Sequence, residues 1–213
     1  MNRRTPPTRG SASLRRPGPS RSAKRRVLVL CEGSETEPTY LRFIATCATS
    51  TLVEIDDNDL TSPKQLVDRA CRLLAESKSL AEKTADPNAL YDEVWCMFDV
   101  DVHPMIHEAL NKAASSGVRL AVSNPCVELW FLLHFQNQSA YIECASALHN
   151  MKQHSPSYSK SSFAFLSLQG RYADAKGRAQ QLEAKHLGDR TAFPQNNPSS
   201  DVWRLIEAVG ATY

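Results

Sequence analysis

The chain has 213 residues, of which 42% are hydrophobic and 23% charged, a composition typical of a soluble globular domain with room for a tail. No apolar run approaches the roughly 20 residues that cross a bilayer, and the basic N-terminus lacks the apolar core of a signal peptide. Six scattered cysteines without a CxxC pair predict a cytoplasmic protein with reduced thiols and no zinc site.

The net charge of +2 conceals an uneven distribution of charge along the chain. Residues 1–26 hold nine of the 25 Lys and Arg residues and no acid, so the remainder has 16 basic residues against 23 acidic ones. Residues 1–25 also contain too little apolar surface to fold, which predicts a disordered basic tail. Such an arm suits a phosphate backbone, although a solubilising tail without contacts is the alternative. The predicted nucleic-acid contacts here are Arg21, Lys24, Arg25 and Arg26.

The first part of the chain alternates predicted strands with predicted helices. Apolar runs with β-branched members and alternating stretches indicate strands, and apolar residues three and four apart indicate helices. We predict strands at residues 26–31, 51–56, 93–101 and 118–123, and helices at about 35–46, 63–83 and 104–115 and after the Asn124-Pro125 turn up to 135. This order predicts βαβ units and a mostly parallel sheet.

Beyond residue 136 the pattern becomes mainly helical. We predict helices at 139–151, 172–186 and 196–210, with a polar loop at 154–162. In the last helix Asn197 and Ser199 are the expected caps, and Val202, Leu205, Ile206 and Val209 are expected to point inward. The domain organisation that follows is an α/β core at 26–136 with a helical C-terminal part, 137–213, packed on it.

Acidic residues follow two of the predicted strands. Glu32 comes directly after the first strand, and Asp99 and Asp101 end the third. Open parallel sheets bind ligands outside the carboxyl ends of their strands, and residues two apart in an extended segment project to the same side. Carboxylates without His or Cys suit Mg²⁺ or Mn²⁺. The alternative is that these acids are solvated or cap the next helix.

Three further candidates lie after the fourth predicted strand. Glu128 could ligate a second metal ion, or it is a first-turn acid that the helix dipole favours. Ser123 and Asn124 could contact phosphate, or they simply form the Asn-Pro turn. By contrast, we expect Glu35 and Glu37 to be an acid cluster at a helix N-terminus, and His134 to be a buried structural histidine.

Five segments carry a resemblance to a known family. CEGSETEPTY, MFDVD, SNPCVELWFLLHF, SYSK and NPSSDVWRLIE resemble, in order, the landmarks of RloB-like proteins, over about residues 25–210. The strand-CEG turn and the strand-DxD resemble the Toprim domain of topoisomerases, primases and nucleases of the overcoming-lysogenization-defect type. The resemblance implies a Toprim-like Rossmannoid α/β fold, with Glu32 as general acid or base and Asp99 and Asp101 as metal ligands.

The resemblance also bears on the polar SYSK loop. It makes Lys160 a candidate for stabilising charge on a transferring phosphoryl group, with Tyr158 beside it as a contact to nucleic acid; most loop lysines are merely solvated. This sequence departs from many relatives in one respect, because Val102 and His103 follow the DxD where those have further acids. The number of metal ions therefore stays open.

The function expected from these residues is Mg²⁺-dependent cleavage of phosphodiester bonds in RNA, such as tRNA, or in DNA. Families of this type are associated with restriction loci and with abortive infection, which implies a defence effector against phage and a regulatory ATPase or other defence subunit as partner. A non-catalytic nucleic-acid-binding or scaffold subunit is the alternative. A small-molecule phosphatase is disfavoured, because such enzymes usually have a nucleophilic Asp where this chain has Glu32.

Overall fold

The computed structural model describes residues 24–56, 58–100, 105–156, 158–159 and 165–213. Within them, one sheet is built from β1 (Arg25–Cys31), β2 (Thr51–Ile55), β3 (Glu93–Asp99), β4 (Arg119–Asn124) and β5 (Ser199–Ser200). The helices are α1 (Thr36–Cys47), α2 (Pro63–Thr84), α3 (Ile106–Ser116), α4 (Val127–Leu133), α5 (Cys144–His154), α6 (Tyr172–Gly188) and α7 (Val202–Val209). Two short 3₁₀ helices lie at Pro87–Ala89 and Phe165–Leu168.

The sheet has the order β2-β1-β3-β4-β5. The first four strands are parallel, and β5 pairs antiparallel with the end of β4. The predicted α/β fold, a mostly parallel Rossmannoid sheet flanked by helices, is therefore confirmed. β2 is added to one side of β1, and β3 and β4 are then added to its other side. The direction in which strands are added therefore reverses between β1 and β3.

The two faces of the sheet pack against different helices, because side chains alternate along each strand. Val29 and Met97 lie on the face covered by α1 and α4 to α7. Leu30 and Phe98, one residue further along each strand, lie on the face covered by α2 and α3. Continuous apolar strands are thus buried on both sides, as expected for a parallel sheet.

The C-terminal part shares the core of the α/β part. Residues of α5, α6 and α7 pack in one cluster with β1, β3 and β4, and β5 extends the sheet itself. Among the described residues no helix is both long and apolar enough to cross a membrane. All six cysteines are free thiols.

The prediction of a helix over 196–210 is wrong in its first residues. Ser199–Ser200 form β5, and the amide of Asp201 donates to the carbonyl of Val122 at 2.8 Å, so the backbone pairs with β4 before α7 begins. Asn197 does not cap this helix, because its side chain bonds both backbone groups of Ile142 at 3.0 and 2.9 Å. That clamp keeps Ile142 out of α5, which starts at Cys144 and not at the predicted residue 139.

The predicted inward face of the last helix is confirmed. The four apolar residues expected to point inward are all at most 1% exposed: Val202, Leu205, Ile206 and Val209.

Candidate functional site

The carboxyl edge of the sheet brings the first two predicted acids together. The amide of Glu32 donates to the carbonyl of Met97 at 3.0 Å, which continues the pairing of β1 with β3 beyond the end of β1. Asp99 ends β3, opposite Ser123 of β4. Glu32 and Asp99 therefore lie at the point where the strand order reverses, which is where open α/β sheets bind their ligands. Asp101 lies outside the described residues.

Asp99 is the centre of an acidic cluster. It follows Trp95 and Met97 on the sheet face that α1 and α4 cover. Burial raises its pKa well above the usual value, and the negative charges of Glu37 and Glu128 raise it further. The backbone amide of Val127 donates a hydrogen bond that opposes this increase. Three carboxyl groups from β3, α1 and α4 thus share one electrostatic environment, which we call the acidic centre.

Glu128 is held deep within the fold. It lies in the first turn of α4, a helix whose seven residues are all buried, and it is only 3% exposed. The hydroxyl of Tyr158 donates to its Oε1 at 3.1 Å. Burial, followed by the charge of Glu128, raises the pKa of Tyr158 above its ordinary value, so this phenol stays protonated and donates.

Glu37 is a member of the acidic centre that the sequence did not predict as a site residue. It lies in the first turn of α1, as expected, but its charge is the largest charge effect on the pKa of Asp99 and also acts on Tyr158. Gly33 adjoins it: a Cβ at that position would lie at an ordinary contact distance of 3.4 Å from Glu37 Oε2, and the φ of +83° is what favours glycine there. The sequence feature that could have identified Glu37 is its position in the first turn of α1, the helix that directly follows β1 and Glu32.

The described residues by themselves do not complete a metal site. No three His, Cys, Asp or Glu side chains among them are arranged to hold one ion. Asp101, the expected second ligand beside Asp99, falls in the gap between residues 100 and 105, as Lys160 falls in the gap between 159 and 165. The proposed ligand set therefore combines described and undescribed residues.

Three predicted nucleic-acid contacts lie beneath the surface. Ser123 and Asn124 are 1% and 3% exposed. Ser123 Oγ lies 3.2 Å from Ser200 Oγ, and Asn124 Nδ2 donates to the carbonyl of Pro194 at 2.9 Å. Tyr158 is 2% exposed. All three hold packed elements together, and their contact with nucleic acid stays a prediction.

The predicted basic contacts lie at the opposite edge of the sheet. Arg25 pairs with Glu93 at 2.6 Å, and Arg26 pairs with Glu54 at 2.6 Å while covering the ring of Tyr91. At about 3.3 Å per residue, the length of β1 separates them from the acidic centre by roughly 20 Å. Lys24 is exposed beside them, and Arg21 lies outside the described residues.

Comparison with known families gives one match. The family model described as RloB-like protein matches residues 27–209, which is most of the chain. Comparison with curated proteins and with solved structures gives no match.

Proposed function

The chain belongs to the RloB-like protein family, and we propose that it is a metal-dependent nuclease that cleaves phosphodiester bonds at the carboxyl edge of its sheet. The observation that carries the proposal is the convergence of Asp99, Glu37 and Glu128 beside the β1/β3 reversal. A carboxyl group whose pKa is raised by neighbouring like charges at the ligand-binding edge of an α/β sheet is a recognised sign of a functional site.

The acidic centre fits Mg²⁺ or Mn²⁺ in its chemistry. Its donors are hard carboxylate oxygens, and a divalent cation would relieve the repulsion that raises the pKa of Asp99. Magnesium commonly takes only one or two carboxylates and completes its shell with water and substrate phosphate. Asp99 and Glu128, together with Asp101, would hold the ion. The chemistry that such an ion would supply is neutralisation of phosphate charge and a lowered pKa of a bound water.

The remaining residues have distinct tasks in this proposal. Glu32 is partly exposed at the sheet edge, and its carboxylate takes the proton of the attacking water, or its protonated carboxyl group gives a proton to the leaving oxygen. Tyr158 fixes Glu128 Oε1 through its hydroxyl. Glu37 maintains the negative potential that attracts a cation. Lys160 would offset the charge that develops on the phosphoryl oxygens.

The proposal also covers the domain type, the substrate and the biological role. The Toprim assignment is supported by the glutamate after β1 and the aspartate that ends β3. RNA, such as tRNA, or DNA is the substrate, and the role is that of an anti-phage or abortive-infection effector in the cytoplasm. A regulatory ATPase or another defence subunit is the proposed partner, and the basic N-terminal arm supplies non-specific attraction to the polyanion.

The test is cleavage of total RNA and of plasmid DNA with Mg²⁺, with Mn²⁺ and with EDTA. Asp99→Asn keeps the shape of the side chain and removes its charge; Asp189→Asn is the matched control, because Asp189 pairs only at the surface with Lys185. We expect cleavage that EDTA stops, that Asp189→Asn retains and that Asp99→Asn loses. Equal cleavage by both variants would contradict the proposal, and absence of cleavage by metal-loaded protein would favour the non-catalytic binding subunit.

A further inference from the structure

A stretch of the chain without acids reaches the acidic centre. Residues 144–173 contain no Asp or Glu, although the chain has 23 of them, and they carry three Lys or Arg residues. Tyr158 belongs to this stretch and donates its hydroxyl to Glu128 at 3.1 Å. The chain beyond residue 26 has 16 basic residues against 23 acidic ones. The stretch is therefore a positively charged region beside the candidate site of a negatively charged body.

Phe135, the second residue after α4, contacts both ends of this stretch. Its ring stacks on that of His154, the last residue of α5, with the ring centroids 5.1 Å apart and 10° between the planes. The guanidinium carbon of Arg171, which directly precedes α6, lies 5.1 Å from the centre of the Phe135 ring. Lys152 is exposed in the last turn of α5, two residues before His154. The end of α5 and the start of α6 are therefore neighbours at the end of α4.

Arg178 continues the positive charge along α6. Its Nη1 donates to the carbonyl of Leu133 at 2.6 Å, and its Nε donates to Asn137 Oδ1 at 3.0 Å. The guanidinium group is thereby fixed at the end of α4. Seven residues separate Arg171 from Arg178, which places both on one side of α6 and about 10 Å apart along the helix. We call the four side chains the basic surface: Lys152, His154, Arg171 and Arg178.

The positive charges of the basic surface are not neutralised within the described part of the chain. No carboxylate there forms an ion pair with its Lys or with either Arg, whereas Lys176 on the same helix pairs with Glu207 at 2.7 Å. The one acid in the first turn of α6 is Asp174, and its single negative charge against three positive ones leaves a net charge of +2. Unpaired cations of this kind attract an anion.

We propose that the basic surface binds the phosphate backbone of a nucleic-acid strand that continues to the acidic centre. Two guanidinium groups about 10 Å apart cannot share one phosphate, but they match phosphates about three nucleotides apart in a strand that rises 3.4 Å per nucleotide. Seven residues of helical rise separate Phe135 from Glu128, so the acidic centre lies roughly 10 Å further on. The inference rests on the proposed function for this continuation, whereas strand binding is measured without cleavage.

Fluorescence anisotropy of a labelled single strand of about 20 nucleotides tests the proposal. RNA and DNA versions are titrated with the full-length protein in EDTA over a series of NaCl concentrations. Lys152→Gln/Arg171→Gln removes two exposed charges and leaves Arg178 in place at the end of α4. With the polymer that binds more tightly, we expect at least about tenfold weaker binding in about 0.1 M NaCl. The slope of log affinity against log salt should decrease by about 1.4, because each phosphate contact on a single strand contributes about 0.7.

Arg72→Gln/Lys78→Gln is the matched control. It also removes one Arg and one Lys, both exposed on α2, which packs on the other face of the sheet. The two double variants have the same net charge and the same N-terminal arm, so only a local contact distinguishes them. We expect the control to keep the slope of the wild type. A partly misfolded variant binds fewer strands without changing this slope, which keeps the test independent of folding.

The outcomes separate this inference from the nuclease proposal. Equal affinities and slopes in the two double variants, or no strand binding by the wild type, would overturn the inference. An equal loss of binding to vesicles of equimolar phosphatidylserine and phosphatidylcholine would also overturn it, because that result identifies a membrane surface. The expected difference, measured in protein that carries Asp99→Asn, supports the inference even if no nucleic acid is cleaved. Cleavage with full strand affinity in Lys152→Gln/Arg171→Gln removes the inference alone.

Discussion

Two groups of polar side chains around α4 differ in how their hydrogen bonds and charges are balanced. One group is a neutral network. Trp130 Nε1 donates to the hydroxyl of Tyr40 at 2.7 Å, and the hydroxyls of Tyr40 and Tyr213 are 2.8 Å apart. His134 Nδ1 donates to the carbonyl of Trp130 at 2.9 Å, so its Nε2 accepts from Tyr213 at 3.1 Å. Each donor in this ring of contacts has one acceptor.

The acidic centre has the opposite character. Its carboxyl groups come from three elements, and Glu37 and Glu128 raise the pKa of Asp99 in addition to burial. A satisfied neutral network stabilises a fold, whereas carboxylates clustered in and beside a buried region cost stability unless a cation is bound. The C-terminal half of α4 therefore contributes Trp130 and His134 to a satisfied neutral network, and its first turn contributes Glu128 to a cluster of like charges.

The largest expected effect is on catalysis at the sheet edge. Glu32→Gln is expected to lower cleavage by about 10²–10⁴-fold, the usual contribution of a general acid or base, while metal affinity stays near that of the wild type. The measurement is a time course of substrate cleavage at saturating Mn²⁺. Glu35→Gln is the matched control, because Glu35 is exposed beside the start of α1. If Glu35→Gln lost as much activity as Glu32→Gln, the proposed role of Glu32 as general acid or base would be contradicted.

The neutral network predicts a particular pH dependence of stability. Burial lowers the pKa of His134 to about 4, below its unfolded value of about 6.5. As the pH is lowered, His134 is therefore protonated in the unfolded state before it is protonated in the folded state. Its contribution to the free energy of unfolding is fully present above about pH 6.5 and decreases by about 3 kcal/mol in total as the pH drops towards 4. Urea unfolding between pH 7 and 4 measures this slope.

The matched pair for this experiment is His134→Gln and His154→Gln. His154 is exposed at the end of α5 and is expected to leave the slope unchanged. His134→Gln should flatten the slope relative to the wild type. Identical slopes in all three proteins would mean that His134 is not held neutral by its surroundings.

Truncating the network at one hydroxyl has an effect of intermediate size. Tyr213→Phe removes the donor to His134 Nε2 and the acceptor for Tyr40. The expected loss is about 1–3 kcal/mol of unfolding free energy, because buried partners are left unsatisfied. Chemical denaturation of the variant measures it. Tyr141→Phe is the control, since Tyr141 is 71% exposed, and a loss in Tyr213→Phe no larger than in this control would contradict the description of the network.

The smallest effect is a gain in stability at the acidic centre. A carboxyl group whose pKa is raised in the folded state lowers the stability of the protein as the pH rises through the pKa of the same group in the unfolded state, which is about 3.9. Asp99→Asn removes that charge and is expected to stabilise the metal-free protein at neutral pH by about 0.5–2 kcal/mol. Thermal unfolding in EDTA at pH 4 and pH 7 measures the difference, which should be larger at pH 7. Destabilisation at pH 7 would show that Asp99 is held by favourable contacts.

The sequence predicts those parts of the molecule that local patterns encode. Apolar runs and alternating stretches locate the first four strands within about two residues, and the alternation of strands with helices predicts that these strands are parallel. β5 is missed because Ser199 and Ser200 have no apolar pattern and become a strand only through their pairing with β4. Ile142 is likewise kept out of α5 by Asn197, a residue 55 positions away.

In the candidate site too, the residues that local patterns place could be predicted, and those that depend on long-range contacts could not. Glu32 and Asp99 could be placed from their strands, because parallel strands end at one edge. Glu37 could not be distinguished from an ordinary helix-dipole acid, since its role depends on its proximity to Asp99. The neutral network joins residues from α1, α4 and the end of the chain, and no sequence spacing connects Tyr40 with Tyr213.

The most direct test of the central claim is a calorimetric titration of the metal-free protein with Mn²⁺. If the acidic centre holds a divalent cation, the wild type and Asp189→Asn bind Mn²⁺ with the same affinity, and Asp99→Asn loses this binding. Indistinguishable binding by Asp99→Asn and the wild type would contradict the claim that Asp99 is a metal ligand.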